Sequence, residues 1–252
     1  MQNKIKEDLF YKGEFNFSYS SLNKLLFSPK LFYREYILKE RETRMDKHLV
    51  EGRLIHLLLL EPDRFEEEFV MSPLKMPTDS VKKILRIVNS KIVDPNNYMK
   101  LKDLDVQILE ALKEEKFLDC KLNDFKFGLK GYVDKYIVDD ESKTITIVDL
   151  KTTAKPLDNF AETVDFYNYW LQAAVYSLLV VKNVDENQQD YKIIFKFVVI
   201  DKYDQVYVFP VSEPTLVRWM TSLKQTLQEA NYHYSERKYN LPYEFANGNI
   251  IL

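Results

Sequence analysis

The chain has 252 residues, 46% of them hydrophobic, and its 36 Lys and Arg against 39 Asp and Glu give a formal net charge of −3. That apolar content suffices for one buried core, and 5 Gly with 9 Pro exclude a collagen-like or low-complexity chain. A single cysteine, Cys120, excludes an internal disulfide framework and any four-cysteine zinc or iron–sulfur site made from this chain alone.

The first ten residues lack the apolar stretch of a signal peptide, and the longest apolar run, Leu54 to Leu60, is too short to span a bilayer. A cytoplasmic protein with no membrane partner is expected. A pI near 5.8 does not advertise a nucleic-acid binder, yet local basic residues around an acidic site remain compatible with one.

In chain order, a polar start leads to F-N-F-S-Y-S-S-L-N-K-L-L-F, which reads as a helix capped by Ser20 or Ser21. Ser28-Pro29 breaks it, and a second helix begins with the proline in its first turn. Lys39 to Lys47 reads as a charged loop, and helical pattern resumes at H-L-V-E-G-R-L-I-H-L-L-L-L. Residues 71–122 read as a polar helical insertion in a single domain covering 1–252. A hairpin from Gly131 to Thr152 follows, then a helix from about Asp165 to Lys182. A second hairpin joins Y-K-I-I-F-K-F-V-V-I to Q-V-Y-V-F-P-V, and Ser212 caps a final helix reaching about Ser235. This order predicts an α/β core, a mixed central sheet flanked by helices.

The first hairpin carries the most chemistry. Residues i and i+2 of a strand share a face, so Asp149 and Lys151 point to one side and Leu150 to the other. If the turn over Asp139 to Lys143 pairs Val138 with Ile145, Asp134 falls opposite Asp149. A one-residue slip would undo this. Two carboxylates and the Leu150 carbonyl are hard oxygen ligands for Mg²⁺ or Mn²⁺, and Lys151 can orient a water or stabilise charge on a phosphate. Upstream, helical spacing puts Gly52 and His56 on one face, and His56 offers an imidazole. Downstream, Gln172 and Tyr176 stand four apart on a helix with Tyr169 one turn earlier, placed to bind a phosphate or orient Lys151. Each satellite alone reads more simply as packing: a core histidine, a half-buried helix face.

Taken in order, G-x-x-x-H, G-x-x-D, hydrophobic-D-x-K and Q-x-x-x-Y resemble the PD-(D/E)XK nuclease superfamily, in particular its exonuclease VIII (RecE-type) and RecB-like branch. The segments S-Y-S-S-L-N-K-L-L-F-S-P-K-L-F-Y and E-G-R-L-I-H-L-L-L-L-E-P-D-R-F are similar to the exonuclease VIII catalytic domain, so the likeness covers about Ser18 to Tyr176. Two departures stand out: Val133 replaces the proline of the first motif, and the four cysteines of the iron–sulfur members are missing.

The resemblance implies a restriction-endonuclease-like core. It makes His56, Asp134, Asp149 and the Leu150 carbonyl the holders of Mg²⁺ or Mn²⁺, Lys151 the catalytic lysine, and Gln172 with Tyr176 its support. It also implies a 5′-to-3′ exonuclease on linear duplex DNA ends, leaving 3′ tails for a single-strand annealing protein in phage-type recombination. A homo-oligomeric ring is expected, a tetramer being one size. Residues available to the DNA backbone include Arg34, Arg41, Arg44, Arg53, Lys130, Lys135 and Lys155, with Ser20 and Ser21 at a helix start. Alternatives are a single-strand-specific or end-trimming RecB-like nuclease, and a catalytically silent nuclease-fold DNA-binding protein.

Overall fold

The computed structural model describes residues 2–40, 56, 115–153, 155–201, 205–246 and 248. The polar start is itself a helix, α1 (Gln2–Lys12), followed by a short strand, β1 (Asn16–Phe17), and by α2 (Tyr19–Phe27). The cap of α2 is Ser18, not Ser20 or Ser21. Three serines in four positions are equivalent by type, and a reciprocal bond selects among them. Ser18 Oγ accepts the Ser21 N–H at 3.3 Å while Ser21 Oγ accepts the Ser18 N–H at 2.8 Å. Ser28 then ends α2 and caps α3 (Pro29–Phe32), with Pro29 in the first turn as expected.

The charged stretch from Arg41, the helical pattern over 48–60 apart from His56, and the insertion from 71 to 114 lie outside the described residues; His56 itself is helical. Residues 116–121, expected at the end of a helical insertion, are instead a strand, β2 (Lys116–Lys121). Of its six residues only Leu118 is buried, so the alternation is faint in a polar sequence. What makes it a strand is its antiparallel ladder along β3 (Gly128–Val133).

β3 runs through Asp134 into β4 (Lys135–Asp139), which turns into β5 (Thr144–Thr153). The pairing is the expected one, Val138 with Ile145. After β5 come a single 3-10 turn and two helices, α4 (Phe160–Phe166) and α5 (Tyr169–Asn183), where one helix was expected. Asn168 separates them with a left-handed backbone (φ 56°), a conformation asparagine tolerates better than most residues. Its side chain holds that geometry, donating to Asn23 Oδ1 at 2.8 Å and accepting from Trp170 Nε1 at 2.9 Å. The chain closes with β6 (Lys192–Asp201), β7 (Val206–Pro210), the Ser212-capped α6 (Glu213–Glu236) and α7 (Tyr243–Ala246).

The strands form two sheets, ordered β1-β3-β2 and β4-β5-β6-β7. The larger is mixed, because β5 and β6 run parallel while its other pairs are antiparallel. The segment linking the two sheets bends at Asp134. Alternation along β5 sorts its side chains: Ile145 and Ile147 enter the main core, whereas Val148 and Leu150 join Val198 and Ile200 on the opposite face. Asp149 and Lys151 continue the row of Ile145 and Ile147, so the motif projects from the core-facing side of the strand. α5 crosses that side and packs on α6, β2 and β3.

One titratable group is buried far from this row. His233 of α6 is 2% exposed, stacks on Tyr239 and donates through Nδ1 to the Lys238 carbonyl. Burial holds its pKa below the usual value of about 6.5. The unfolded chain therefore binds a proton at this position more readily than the folded one, and stability falls as pH drops below that ordinary value. Thermal melts from pH 8 to 5.5 should show a shallower loss for His233→Gln than for the wild type. The difference in slope isolates this imidazole from the carboxylates.

Candidate active site

The bend at Asp134 is where the site assembles. Pairing of Lys135 with Val148 brings Asp134 abreast of Asp149, and Asp134 Oδ2 accepts the Leu150 N–H at 2.6 Å. The Leu150 carbonyl stands 3.3 Å from His56 Nε2, which is 3.8 Å from Asp134 Oδ2. His56, Asp134 and Leu150, three of the residues singled out from sequence as ligands, thus meet directly.

A further group was not singled out. Ligand atoms of His56, Glu115 and Asp134 lie within 4.8 Å of one another. Glu115 immediately precedes β2, and the ladder pairing Lys116 with Val133 carries it across from Asp134. Read as helix, E-E-K-F presents an ordinary solvated glutamate; only the strand pairing reveals its position.

Asp149 and Lys151 form an ion pair with side chains 0% and 11% exposed. Apart from that pair, neither Asp149 oxygen accepts a hydrogen bond among the described residues. Burial pushes Asp134 and Asp149 up to about 6, with Lys151 pulling both back down. Lys151 Nζ also sits 4.8 Å from the centre of the Tyr169 ring, which closes one side of it. On α5, Gln172 Nε2 donates to Tyr176 Oη at 2.8 Å, so the two supporting residues hold each other. Burial, and then the Asp149 charge, raises the phenols of Tyr19, Tyr169 and Tyr176, keeping all three as neutral donors.

Among the described residues, two buried carboxylates face one lysine, which leaves the centre short of positive charge. The Asp134 carboxylate beside an imidazole and a backbone carbonyl, with the Asp149 oxygens short of donors next to it, suits a hard divalent cation, which prefers oxygen ligands and accepts a nitrogen. In sequence, the description of the PD-(D/E)XK nuclease superfamily matches residues 16–243.

The chain belongs to the PD-(D/E)XK nuclease superfamily.

Its fold is similar to that of a protein from Eubacterium rectale provisionally named an exonuclease. The TM-score is 0.64 at 16% identity, covering 100% of this chain and 91% of that one. A phage-related exonuclease from Haemophilus somnus 129PT overlaps more loosely, with a TM-score of 0.37 at 14% identity over 91% of this chain and 97% of that chain. No curated protein matches in sequence. PD-(D/E)XK nucleases use divalent metals, and the described acidic and histidine cluster fits that chemistry.

The DNA-backbone candidates of this PD-(D/E)XK nuclease are dispersed. Ser20 is exposed, whereas Ser21 is buried with its hydroxyl engaged in the α2 cap. Arg34 lies 3.5 Å from Glu40, Lys130 is exposed on β3, and Lys135 is half-buried at the start of β4. Lys155 is exposed just beyond β5. Arg41, Arg44 and Arg53 lie outside the described residues, as does Gly52 of the first motif. No helix among the described residues is long and apolar enough to cross a membrane.

Proposed function

We propose that this nuclease is a metal-dependent DNA exonuclease that digests linear duplex ends 5′-to-3′ and leaves 3′ single-stranded tails for phage-type recombination. The observation that supports it best is the buried Asp149–Lys151 pair standing beside the convergence of His56, Asp134 and the Leu150 carbonyl. The name carried by the E. rectale protein is consistent with end-dependent cleavage.

In this reading His56, Asp134, Asp149 and the Leu150 carbonyl hold Mg²⁺ or Mn²⁺, with Glu115 at hand. Such an ion supplies Lewis acidity and makes water a competent nucleophile at neutral pH. Lys151, held between Asp149 and the Tyr169 ring, donates to a phosphate oxygen and stabilises the charge that develops there. Its stem is buried, so its position costs no reorganisation during the reaction. Gln172 and Tyr176 present amide and phenol groups from α5, each held in place by the bond between them.

The proposal extends to a homo-oligomeric ring around DNA and to an annealing protein that receives the 3′ tail. A second reading, a single-strand-specific or end-trimming nuclease, draws support from aromatic rings exposed beside the site. Duplexes labelled at the 5′ or the 3′ end, compared with labelled single strands, separate the two. Release of 5′ label from duplex as mononucleotides is expected; digestion of single strands alone would replace the first reading by the second.

Removing divalent metal with a chelator should abolish release of nucleotide. Mg²⁺ or Mn²⁺ should restore it and Ca²⁺ should not support it, because calcium activates water less strongly. Digestion that persists at full rate in excess chelator would overturn the metal assignment.

A further inference from the structure

Among the described residues, the most exposed aromatic side chains near Lys151 sit at the junction of α4 and α5. Phe166 is 75% exposed and Tyr167 is 50% exposed. Large apolar rings in water need a reason, and isolated exposure is ordinary. These two are not isolated. Tyr167 stacks on Tyr169, ring centres 5.6 Å apart and planes 23° from parallel, and Phe166 meets Tyr167 edge-on at 4.9 Å. Tyr169 in turn lies against Lys151 Nζ, while Lys155 Nζ stands 5.9 Å from the Phe166 ring. A row of three rings therefore runs outward from the Asp149–Lys151 pair to a second lysine.

The turn is also held in place. Tyr19 Oη donates to the Tyr167 carbonyl at 2.5 Å, and Asn23 Nδ2 donates to the same oxygen at 3.4 Å. The Asn168 side chain, bonded to Asn23 and Trp170, fixes the left-handed residue that follows. A turn anchored by α2 on one side and α5 on the other keeps its rings presented rather than collapsed onto the surface.

We propose that Phe166 and Tyr167 are a stacking shelf for unpaired bases of the strand that enters the site, with Lys155 at its outer end for the phosphate backbone. A base of any identity offers a π-face to such rings, and a flanking lysine follows the backbone without reading sequence. Duplex DNA, whose bases are already stacked, gains nothing from the shelf. The strand near the scissile phosphate is accordingly gripped in single-stranded form, at the frayed end of a duplex or on a tail. This inference rests on the nuclease reading for its role in digestion, though not for the binding it describes.

The experiment measures binding without cleavage. Full-length wild type, Phe166→Ala, Tyr167→Ala, the double variant, and the ring-conserving Phe166→Trp and Tyr167→Phe are titrated in chelator against two probes. One is a single-stranded oligodeoxynucleotide containing 2-aminopurine; the other is a hairpin duplex of the same length closed at both ends by non-nucleotide linkers, which offers no unpaired base. The double alanine variant is expected to bind the single strand about tenfold or more weakly and to lose the quenching of 2-aminopurine that stacking causes. Hairpin-duplex affinity should stay within about twofold, and both ring-conserving variants should bind like the wild type. In digestion of linear DNA the double alanine variant should raise KM far more than it lowers kcat. Unchanged single-strand affinity and quenching would overturn the proposal and leave the rings as a contact for another protein. An equal loss on the closed duplex would overturn it as well. Should the wild type digest no DNA, the nuclease reading fails while the binding titration still decides the shelf.

Discussion

Lys151→Ala and Asp149→Asn are each expected to cut the digestion of linear duplex DNA by about a thousandfold or more. Loss of one preorganised donor at a developing oxyanion costs about 10²–10³-fold, and here the same change also disturbs the acidic face it balances. Lys151 is held by Asp149 on one side and the Tyr169 ring on the other, so neither can change without releasing it. For that reason the double variant should be no worse than either single one, as for residues that act as a unit.

Stability moves differently. Lys151→Ala leaves Asp149 fully buried across from Asp134 without its cation, a loss of about 3 kcal/mol for a broken buried pair. Lys151→Met keeps the apolar stem, and Asp149→Asn keeps the shape of the side chain. Release of nucleotide from labelled duplex, with melts of each variant run alongside, checks the prediction. Folded variants of both residues digesting at the wild-type rate would remove this pair from the active site.

The part of the site that was legible in sequence is the part made locally. Asp149 and Lys151 share a face because a strand has a period of two. The hairpin register follows from a short turn between two apolar runs, so Val138 meets Ile145 and Asp134 arrives beside Asp149. Gln172 and Tyr176 are a helical neighbour pair and bond as such. The final helix declared both its serine cap and its proline.

What was missed depends on distant partners. β2 has no clear alternation of its own and exists because β3 pairs with it, and Glu115 reaches the site only through that pairing. The break between α4 and α5 turns on Asn168 bonding to Asn23, 145 positions away. The division into two sheets follows from a bend at Asp134 that nothing in G-Y-V-D-K-Y-I-V announces.

The bend depends in turn on the three-stranded sheet that feeds it, and Gly128 is where that sheet is tightest. Its N–H reaches Asn16 Oδ1 at 3.1 Å, and Lys121 lies across from it in β2. A Cβ at this position would overlap the Cys120 carbonyl oxygen and stand 2.5 Å from Asn16 Oδ1. The first obstacle is backbone, which cannot rotate away, so β2 must move off β3. Gly128→Ala should therefore cost about 3 kcal/mol, the range of a strained core substitution, and lower Tm by roughly 6–12 °C.

Gly131, three residues on, gives the contrasting case. A Cβ there would meet Tyr176 Cε1 at 3.1 Å and Leu179 Cδ1 at 3.2 Å, both side-chain atoms that can yield. Gly131→Ala should melt close to the wild type, yet it pushes on the phenol that Gln172 holds and so should lower digestion several-fold. Paired melts and digestion assays read the two effects separately. If Gly128→Ala melted with the wild type, the close approach of β2 to β3, and with it the placement of Glu115 beside Asp134, would be wrong.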